Sequence, residues 1–165
     1  MGSVGQGGKQ WEQLETAMYT FSGWFEHTVD EKGRVSIPSS FREKLSVNHD
    51  EKLFATRSLS GPCIEIFPAS EWQRLLERVG TLSQSEPAVI HFRRRFISAA
   101  AEVSVDRSGR VLLPQGLRSQ LGIGREVMIA GNIEKLEVWD REAFVSLYEN
   151  DEGASVLEGM SKLGF

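Results

Sequence analysis

A duplicated string constrains this chain more than any other feature of its sequence. The letters TVDEKGRVSIP, at residues 28–38, return 76 positions later as SVDRSGRVLLP at residues 104–114. When residues 26–45 are laid over residues 102–121, nine of the twenty positions are identical without a gap. The chain is therefore an internal duplication, and each copy is expected to fold into the same small unit.

Each copy begins with a turn that its residue types specify. Asp30 and Gly33, the first and fourth residues of the turn, favour a type I turn closed by a left-handed glycine. Asp106 and Gly109 occupy the same places in the second copy. Alternating polar and apolar residues follow Gly33, as in a half-buried strand. The sequence predicts two hairpins with a bulge, in which these four residues have structural roles.

A short helix is expected to follow each hairpin. Pro38 ends the first strand, and Ser40 with Glu43 three residues later forms a capping-box pattern. In the second copy, Pro114 takes the place of Pro38, and Gly122 is expected to stop the helix.

Two strands and a longer helix come next. LFAT and CIEIF in the first copy correspond to VMIA and LEVW in the second, and both pairs are predicted to be paired strands. The likeness continues from IEIFPASEW to LEVWDREAF, now with an offset of 72. Ser70 is expected to open a helix with one apolar face that ends at Gly80. A further helix is predicted at about residues 86–100.

One copy, at about 45 residues, is too small to bury a core of its own. We therefore predict a mainly β fold with helices, in which strands of both repeats interleave in one small pseudo-dimeric barrel and the helices pack around it. Both chain ends are expected to be poorly ordered or to act as contact tails. The predicted divisions are an N-terminal extension, first repeat, helical connector, second repeat and C-terminal tail at 1–20, 24–70, 71–99, 100–147 and 148–165.

Composition narrows the possible functions. Cys63 is the only cysteine, which leaves no intrachain disulfide and no cysteine-based zinc site, and the three histidines are scattered. We expect neither a metal nor a cofactor. Without a membrane-length apolar run or a secretory leader, the expected location is cytoplasmic. No phosphate-binding glycine loop, nucleophile elbow or Ser/His/Asp grouping is present, so the chain is not expected to be an enzyme.

The two D-x-x-G-R-[VIL]-x-[IL]-P motifs, together with EKLEVWD near the end of the second copy, resemble the MraZ family of bacterial proteins with two AbrB-type domains. The resemblance covers roughly residues 21–147. It implies a swapped-hairpin double-split β-barrel, a ring of several chains, and binding to double-stranded DNA. It further implies a nucleoid-associated transcriptional regulator that reads repeated short boxes at the promoter of the division and cell-wall gene cluster. The chain departs from the family in its extra N-terminal residues and in Ser22, where a basic residue is common.

Basic residues of the repeats are the candidates for DNA contact. A guanidinium at Arg34 can grip a phosphate or a guanine edge, although an ion pair with Asp30 or Glu31 is an alternative. The turn-tip Lys32 is either solvated or bound to phosphate, and the helical Arg42 can equally stabilise its helix or a neighbouring chain. The complete set of candidate DNA-binding residues is Arg34, Lys32, Arg57, Arg42, Arg107 and Arg110.

The net charge of −4 opposes binding to nucleic acid unless basic residues cluster on one surface or assembly gathers several clusters. The run HFRRRF at residues 91–96 is interpreted as an amphipathic helix with a solvated basic face, with DNA or subunit contact as alternatives. The four tryptophans are expected in core or interface packing. An alternative function is that of a protein-binding module of antitoxin type on a related barrel, in which a tail embraces the partner.

Overall fold

The structure is a computed structural model and describes residues 20–47, 52–149 and 152–165. The predictions for residues 1–19, including Trp11, lie outside the described residues. The elements are, in chain order, β1 (Trp24–Thr28), β2 (Arg34–Ser36), α1 (Ser39–Val47), β3 (Lys52–Arg57), β4 (Cys63–Pro68), α2 (Ala69–Gly80), α3 (Pro87–Phe92), a π-helical segment (Arg93–Ile97), β5 (Ala101–Ser104), β6 (Arg110–Leu112), α4 (Gln115–Leu121), β7 (Glu126–Asn132), β8 (Lys135–Asp140), α5 (Arg141–Glu149) and α6 (Gly153–Lys162).

Strands of the two repeats alternate within the sheets. Six strands form an antiparallel sheet in the order β1-β7-β8-β4-β3-β5, and β2 and β6 form a separate antiparallel ribbon. β1 pairs with β7, β5 with β3, and β4 with β8, so each of these pairs joins one repeat to the other. The predicted interleaving is present. The described strands do not close into a barrel: β2 and β6 form a separate ribbon of three residues each, and β6 meets the chain after β5 only through the isolated bridge between Val105 and Val111.

The hairpin prediction is only partly correct. The turns form where they were expected, and the amide of Asp30 donates to the carbonyl of Arg34 at 2.8 Å. Beyond that bond, the arms of the first turn belong to different sheets, since β1 pairs with β7 and β2 pairs with β6. Local alternation indicates that a strand forms, but it does not determine which strand becomes its partner.

Three helix boundaries differ from the sequence prediction. Helix α1 begins at Ser39 because the carbonyl of Pro38 accepts bonds from the amides of Phe41 and Arg42, so Ser40 lies inside the helix and is not its cap. Helix α2 begins at Ala69, directly after Pro68, and not at Ser70. The helix predicted at about 86–100 is α3 followed by the π-helical segment, in which the Ser98 amide donates to the carbonyl of Arg93.

A single apolar core lies between the six-stranded sheet and the ribbon. Val35 and Val111, the central pair of the ribbon, are fully buried in it, as are Leu53 and Val127 from the sheet. Phe41 from α1 and Leu117 from α4 close the core from the two helices. Because both repeats contribute equivalent residues, neither repeat encloses a core of its own.

The outer face of the sheet carries two smaller apolar clusters. Phe67, Trp72 and Phe96 pack together where α2 and the π-helical segment cover the sheet. Cys63 and Trp139 pack under α5 in the other cluster, where burial raises the pKa of the Cys63 thiol to about 12. Trp72 and Trp139 are thus buried in apolar packing, as predicted. Trp24 is 56% exposed and packs against Phe144 and Tyr148 of α5.

The end of the chain is more regular than its composition predicts. Within the predicted tail, Gly153–Lys162 forms helix α6, and all of its residues are exposed. Of the two alternatives for this segment, the helix disagrees with poor order, and the contact tail stays a prediction. In the described part of the chain, no helix has the length and apolar character needed to cross a membrane.

Candidate nucleic-acid interface

The first Asp-Gly turn is held by one carboxylate. Oδ1 of Asp30 accepts bonds from the amides of Lys32 at 3.0 Å and Arg34 at 2.9 Å. The Gly33 amide donates to the Asp30 carbonyl at 3.0 Å, and Gly33 has a φ of 85°. An L-residue avoids this left-handed conformation, so the glycine fixes the direction in which the strand leaves the turn.

The second turn repeats this geometry. Oδ1 of Asp106 accepts from the amides of Ser108 at 2.8 Å and Arg110 at 2.9 Å, and Gly109 has a φ of 77°. Hydrogen bonds from the backbone amide of Arg110, together with those of Ser108, lower the pKa of Asp106 below its ordinary value. The bond from the backbone amide of Arg34 has the same effect on the pKa of Asp30. Both carboxylates are therefore ionised at neutral pH.

The β2/β6 ribbon places Arg34 and Arg110 on one side of the molecule. Arg34 lies opposite Leu112 and Ser36 lies opposite Arg110 in the antiparallel register. Directly opposite residues share a face, so these four side chains point away from the buried Val35 and Val111 pair. The ribbon thus brings one motif arginine from each repeat to a common outer face.

Asp30 links the two arginines of this face. Its Oδ2 atom accepts from Nε of Arg34 at 2.8 Å and lies 3.8 Å from Nη1 of Arg110. Asp106 pairs with Arg110 through Nε at 3.3 Å. The ion pair between Arg34 and Asp30, one of the two alternatives for Arg34, is present. Both motif arginines donate to their own aspartate through Nε, and among the described residues only Nη1 of Arg110 faces a further carboxylate, so the other Nη groups remain donors for another acceptor.

The turn tips add charge next to the ribbon. Lys32 and Arg107 are exposed at the tips of the first and second turn, and Glu31 is exposed beside Lys32. Four basic and three acidic side chains, counting the two turn aspartates, therefore lie on the turns and the ribbon. This excess of positive charge is small, so a single chain offers only a weak site for phosphate.

Arg42 and Arg57 occupy different surroundings from the motif arginines. Arg42 extends from α1, and its Nε donates to the carbonyl of Ile37 at 3.1 Å. Arg57 ends β3 opposite Ile64, and its Nε is buried without a hydrogen-bond partner among the described residues. No ion pair within the described ranges joins Arg57 to either turn.

The basic run of the connector lies on helix α3 and the π-helical segment. His91, Arg94 and Arg95 are exposed, while Phe96 is buried and Phe92 is partly buried against it. The predicted amphipathic pattern is present, and DNA or subunit contact by the basic face stays a prediction. Nothing in the described contacts joins this face to the ribbon.

Two residues of the ribbon region were missed by the sequence prediction. Leu112 is 57% exposed on the outer face, where it lies opposite Arg34 at the end of β6. Arg118 reaches the first turn, where its Nη1 lies against Gly33. The 76-residue offset contains the signal for both, because it aligns Leu112 with the outward Ser36 and Arg118 with Arg42.

Comparisons with known proteins agree with this duplicated architecture. A family model described as "MraZ protein, putative antitoxin-like" matches the chain twice, at residues 20–95 and 96–162. The chain belongs to the MraZ family. The two matches of the MraZ model divide the chain into two copies, as the internal repeat predicts.

Individual MraZ proteins align with nearly the whole chain. The protein is 40% identical to the transcriptional regulator MraZ of Acetivibrio thermocellus over 147 residues, which cover 87% of this chain and 99% of that protein. It is 37% identical to the one of Syntrophomonas wolfei over 87% of this chain and 99% of the relative. The relative from Shewanella piezotolerans is 32% identical over 86% and 93% of the two chains. All three are named as transcriptional regulators, which confirms the prediction that the chain is not an enzyme.

Proposed function

We propose that this MraZ-family protein is a sequence-specific, DNA-binding transcriptional regulator. The observation that carries the proposal is the pair Arg34 and Arg110, which comes from two repeats and lies on one outward ribbon face. Two guanidinium groups near one another can clamp a phosphate or read a guanine edge through their Nη donors. The names of the relatives as transcriptional regulators support the same function.

The ion pairs with Asp30 and Asp106 suggest how the ribbon meets DNA. Each aspartate holds the Nε side of its arginine and orients the group, and only Nη1 of Arg110 also faces Asp30, at 3.8 Å. A phosphate oxygen then adds to a preset guanidinium, which reduces the loss of side-chain freedom on binding. Lys32 and Arg107 at the turn tips would supply further phosphate contacts.

Assembly provides the affinity that one weak site lacks. We propose a homo-oligomer, a ring of several chains as the family resemblance implies, that binds repeated boxes in a promoter of the division and cell-wall gene cluster. Once one ribbon is bound, the next ribbon meets its box at high effective concentration. A chain with a net charge of −4 can bind DNA in this way, because only the ribbons need to present positive charge.

We assign the interleaved strands to the swapped-hairpin, double-split barrel type, with the repeats at 24–70 and 100–147. We also propose that the protein is located in the cytoplasm, at the nucleoid. Arg57 stays a predicted DNA contact. Its place at the end of β3 does not join it to the ribbon, and it does not exclude Arg57 from a DNA surface that extends beyond the ribbon.

The role of the ribbon is tested by titrating a fluorescent duplex that carries repeated boxes. Arg34→Ala and Arg110→Ala are compared with the unchanged protein at two salt concentrations. We expect weaker binding by both variants and a salt slope reduced by about one for each lost phosphate contact. Arg74→Ala, which removes an exposed arginine from α2, is the matched control and should bind normally. Normal binding by both ribbon variants would refute the assignment.

The assembly is tested by light scattering of the full chain. We expect a solution mass that is a multiple of the 18.5 kDa chain mass, and tighter binding to a duplex with several boxes than to one with a single box. A monomer that binds a single box as tightly as a repeated one would contradict the multivalent mechanism.

A protein-binding module of antitoxin type is the second candidate. Its supporting observation is α6, whose exposed Val156, Leu157 and Met160 leave an apolar surface near the end of the chain. Such a surface is typical of helices that bind a groove in a partner. Removal of residues 152–165 separates the two candidates, because it should abolish partner binding under this alternative and leave DNA binding through the ribbon intact.

A further inference from the structure

Two helix arginines lie across the turn of the opposite repeat. A Cβ atom at Gly109 would be 2.6 Å from Nη1 of Arg42 and 2.8 Å from its Cδ and Cζ atoms. A Cβ atom at Gly33 would be 3.3 Å from Nη1 of Arg118. Each arginine therefore lies in the space that the missing side chain of a turn glycine leaves free, and in both cases the glycine belongs to the other repeat.

The backbone of each turn is also held by the other repeat. The amide of Ile37 donates to the carbonyl of Gly109 at 2.9 Å, and the amide of Leu113 donates to the carbonyl of Gly33 at 2.9 Å. Both glycines are buried. The position of each turn glycine is therefore set by contacts on two sides, a backbone amide and an arginine side chain, that come from the opposite repeat.

The two arginines are anchored to different extents. Arg42 is fixed by the bond from its Nε to the carbonyl of Ile37, the residue whose amide holds Gly109. Arg118 reaches the carbonyl of Gly124 through Nη2 at 3.4 Å, and its buried Nε has no partner among the described residues. A buried donor without a partner is unfavourable for stability. Hydrogen bonding therefore does not account for the position of Arg118, and its contact with the first turn is the feature that the inference uses.

We infer that Arg42 and Arg118 are positioning residues, each of which orients the DNA-contacting arginine of the other repeat. Gly109 directly precedes Arg110, and Gly33 directly precedes Arg34. Arg42 thus acts on Arg110 through Gly109, and Arg118 acts on Arg34 through Gly33. The inference rests on the proposed role of the ribbon, and it replaces direct DNA contact as the role of Arg42.

Crossed double mutants test this coupling in the full chain. Arg42→Ala is measured alone and together with Arg110→Ala or Arg34→Ala, using the fluorescent promoter duplex. We expect Arg42→Ala to weaken binding in the unchanged and Arg34→Ala backgrounds, and to change it by less than about twofold in the Arg110→Ala background. Arg118→Ala should show the reverse pattern: it should weaken DNA binding in the unchanged and Arg110→Ala backgrounds, and lose this effect in the Arg34→Ala background.

Two outcomes of the binding series would overturn the inference. If Arg42 contacted DNA directly, Arg42→Ala would weaken DNA binding by the same factor in the Arg34→Ala and Arg110→Ala backgrounds. A general loss of structure would give the same result. Arg42→Lys adds a second discrimination, since lysine keeps the charge but lacks the planar group that donates to Ile37 and covers Gly109. We expect Arg42→Lys to bind as weakly as Arg42→Ala, and full recovery by lysine would favour phosphate contact. Arg74→Ala remains the control.

Hydrogen exchange of the turn amides tests the same inference without DNA. The amides of Ser108, Gly109 and Arg110 all donate to Asp106, so they report on the order of the second turn. We expect Arg42→Ala to speed their exchange and leave residues 32–34 unchanged, with the converse for Arg118→Ala. Equal acceleration in both turns would overturn the inference. If Arg34→Ala and Arg110→Ala bind DNA normally, the proposed function fails, and the exchange pattern alone decides whether the crossed contacts order the turns.

Discussion

At the scale of single residues, Asp30 divides its two oxygens between the turn and the arginines of the proposed DNA-binding face. Oδ1 accepts the amides that close the turn, and Oδ2 faces the guanidinium groups of Arg34 and Arg110. The identity of this residue is fixed by the turn, and the position of the arginines follows from it. A sequence motif that is needed for local folding therefore also sets the geometry of the outer ribbon face.

The turn glycines lead to a prediction at the same scale. Gly33→Ala is expected to lower the free energy of unfolding by about 1–2 kcal/mol, because alanine must adopt the left-handed backbone. Gly109→Ala should cost at least as much, since its Cβ would also displace Arg42. Gly116 lies in helix α4 with open space around it, so Gly116→Ala is the matched control. It should raise the free energy of unfolding by about 0.5–1 kcal/mol. Urea unfolding measures all three, and equal stability for Gly33→Ala and Gly116→Ala would contradict the argument.

At the scale of elements, the central strands β4 and β8 contain an ion pair that joins the repeats. Lys135 Nζ lies 3.0 Å from Oε2 of the buried Glu65. Lys135→Met leaves that carboxylate buried without its partner, so we expect a loss of about 3 kcal/mol in the free energy of unfolding. Lys162→Met breaks an exposed pair on α6 and should cost about 0.5 kcal/mol or less. Denaturant titration compares them, and a similar small loss in both would show that the pair between the repeats contributes little.

The strands also show which parts of the fold local sequence patterns can predict. The paired strands β3 and β4, and β7 and β8, were predicted correctly because alternation and turn residues are local signals. The partners of β1 and β2 were not, since pairing between distant segments depends on the assembled core. In the site, the outward direction of Arg34 followed from alternation. The bond of Arg34 to Asp30 was one of two alternatives that the sequence left open. The contact of Arg118 with Gly33 was not predicted, because it joins residues of different repeats.

At the scale of the whole molecule, the two repeats form a structure that neither can form alone. The ribbon, the ends of the six-stranded sheet and its centre each pair a strand of one repeat with a strand of the other. The outward arginine pair exists only when both repeats are folded together. This dependence makes the proposed DNA surface a property of the whole chain, although each motif lies in a short stretch of residues.

Cutting the chain between the two family matches tests this dependence. Residues 20–95 alone lose the partners of β1, β2 and one side of β4, and residues 96–162 lose those of β5, β6 and one side of β8. Each fragment then exposes half of the shared core, which apolar burial no longer stabilises. We therefore expect neither fragment to give a folded monomer, and we expect an equimolar mixture to regain the circular dichroism and cooperative unfolding of the full chain. Because the repeats are alike, a fragment can also pair with its own copy, and light scattering distinguishes that dimer. A fragment that unfolds cooperatively as a monomer would show that each repeat encloses its own core and that the cross-repeat contacts, including those of Arg42 and Arg118, are dispensable for folding.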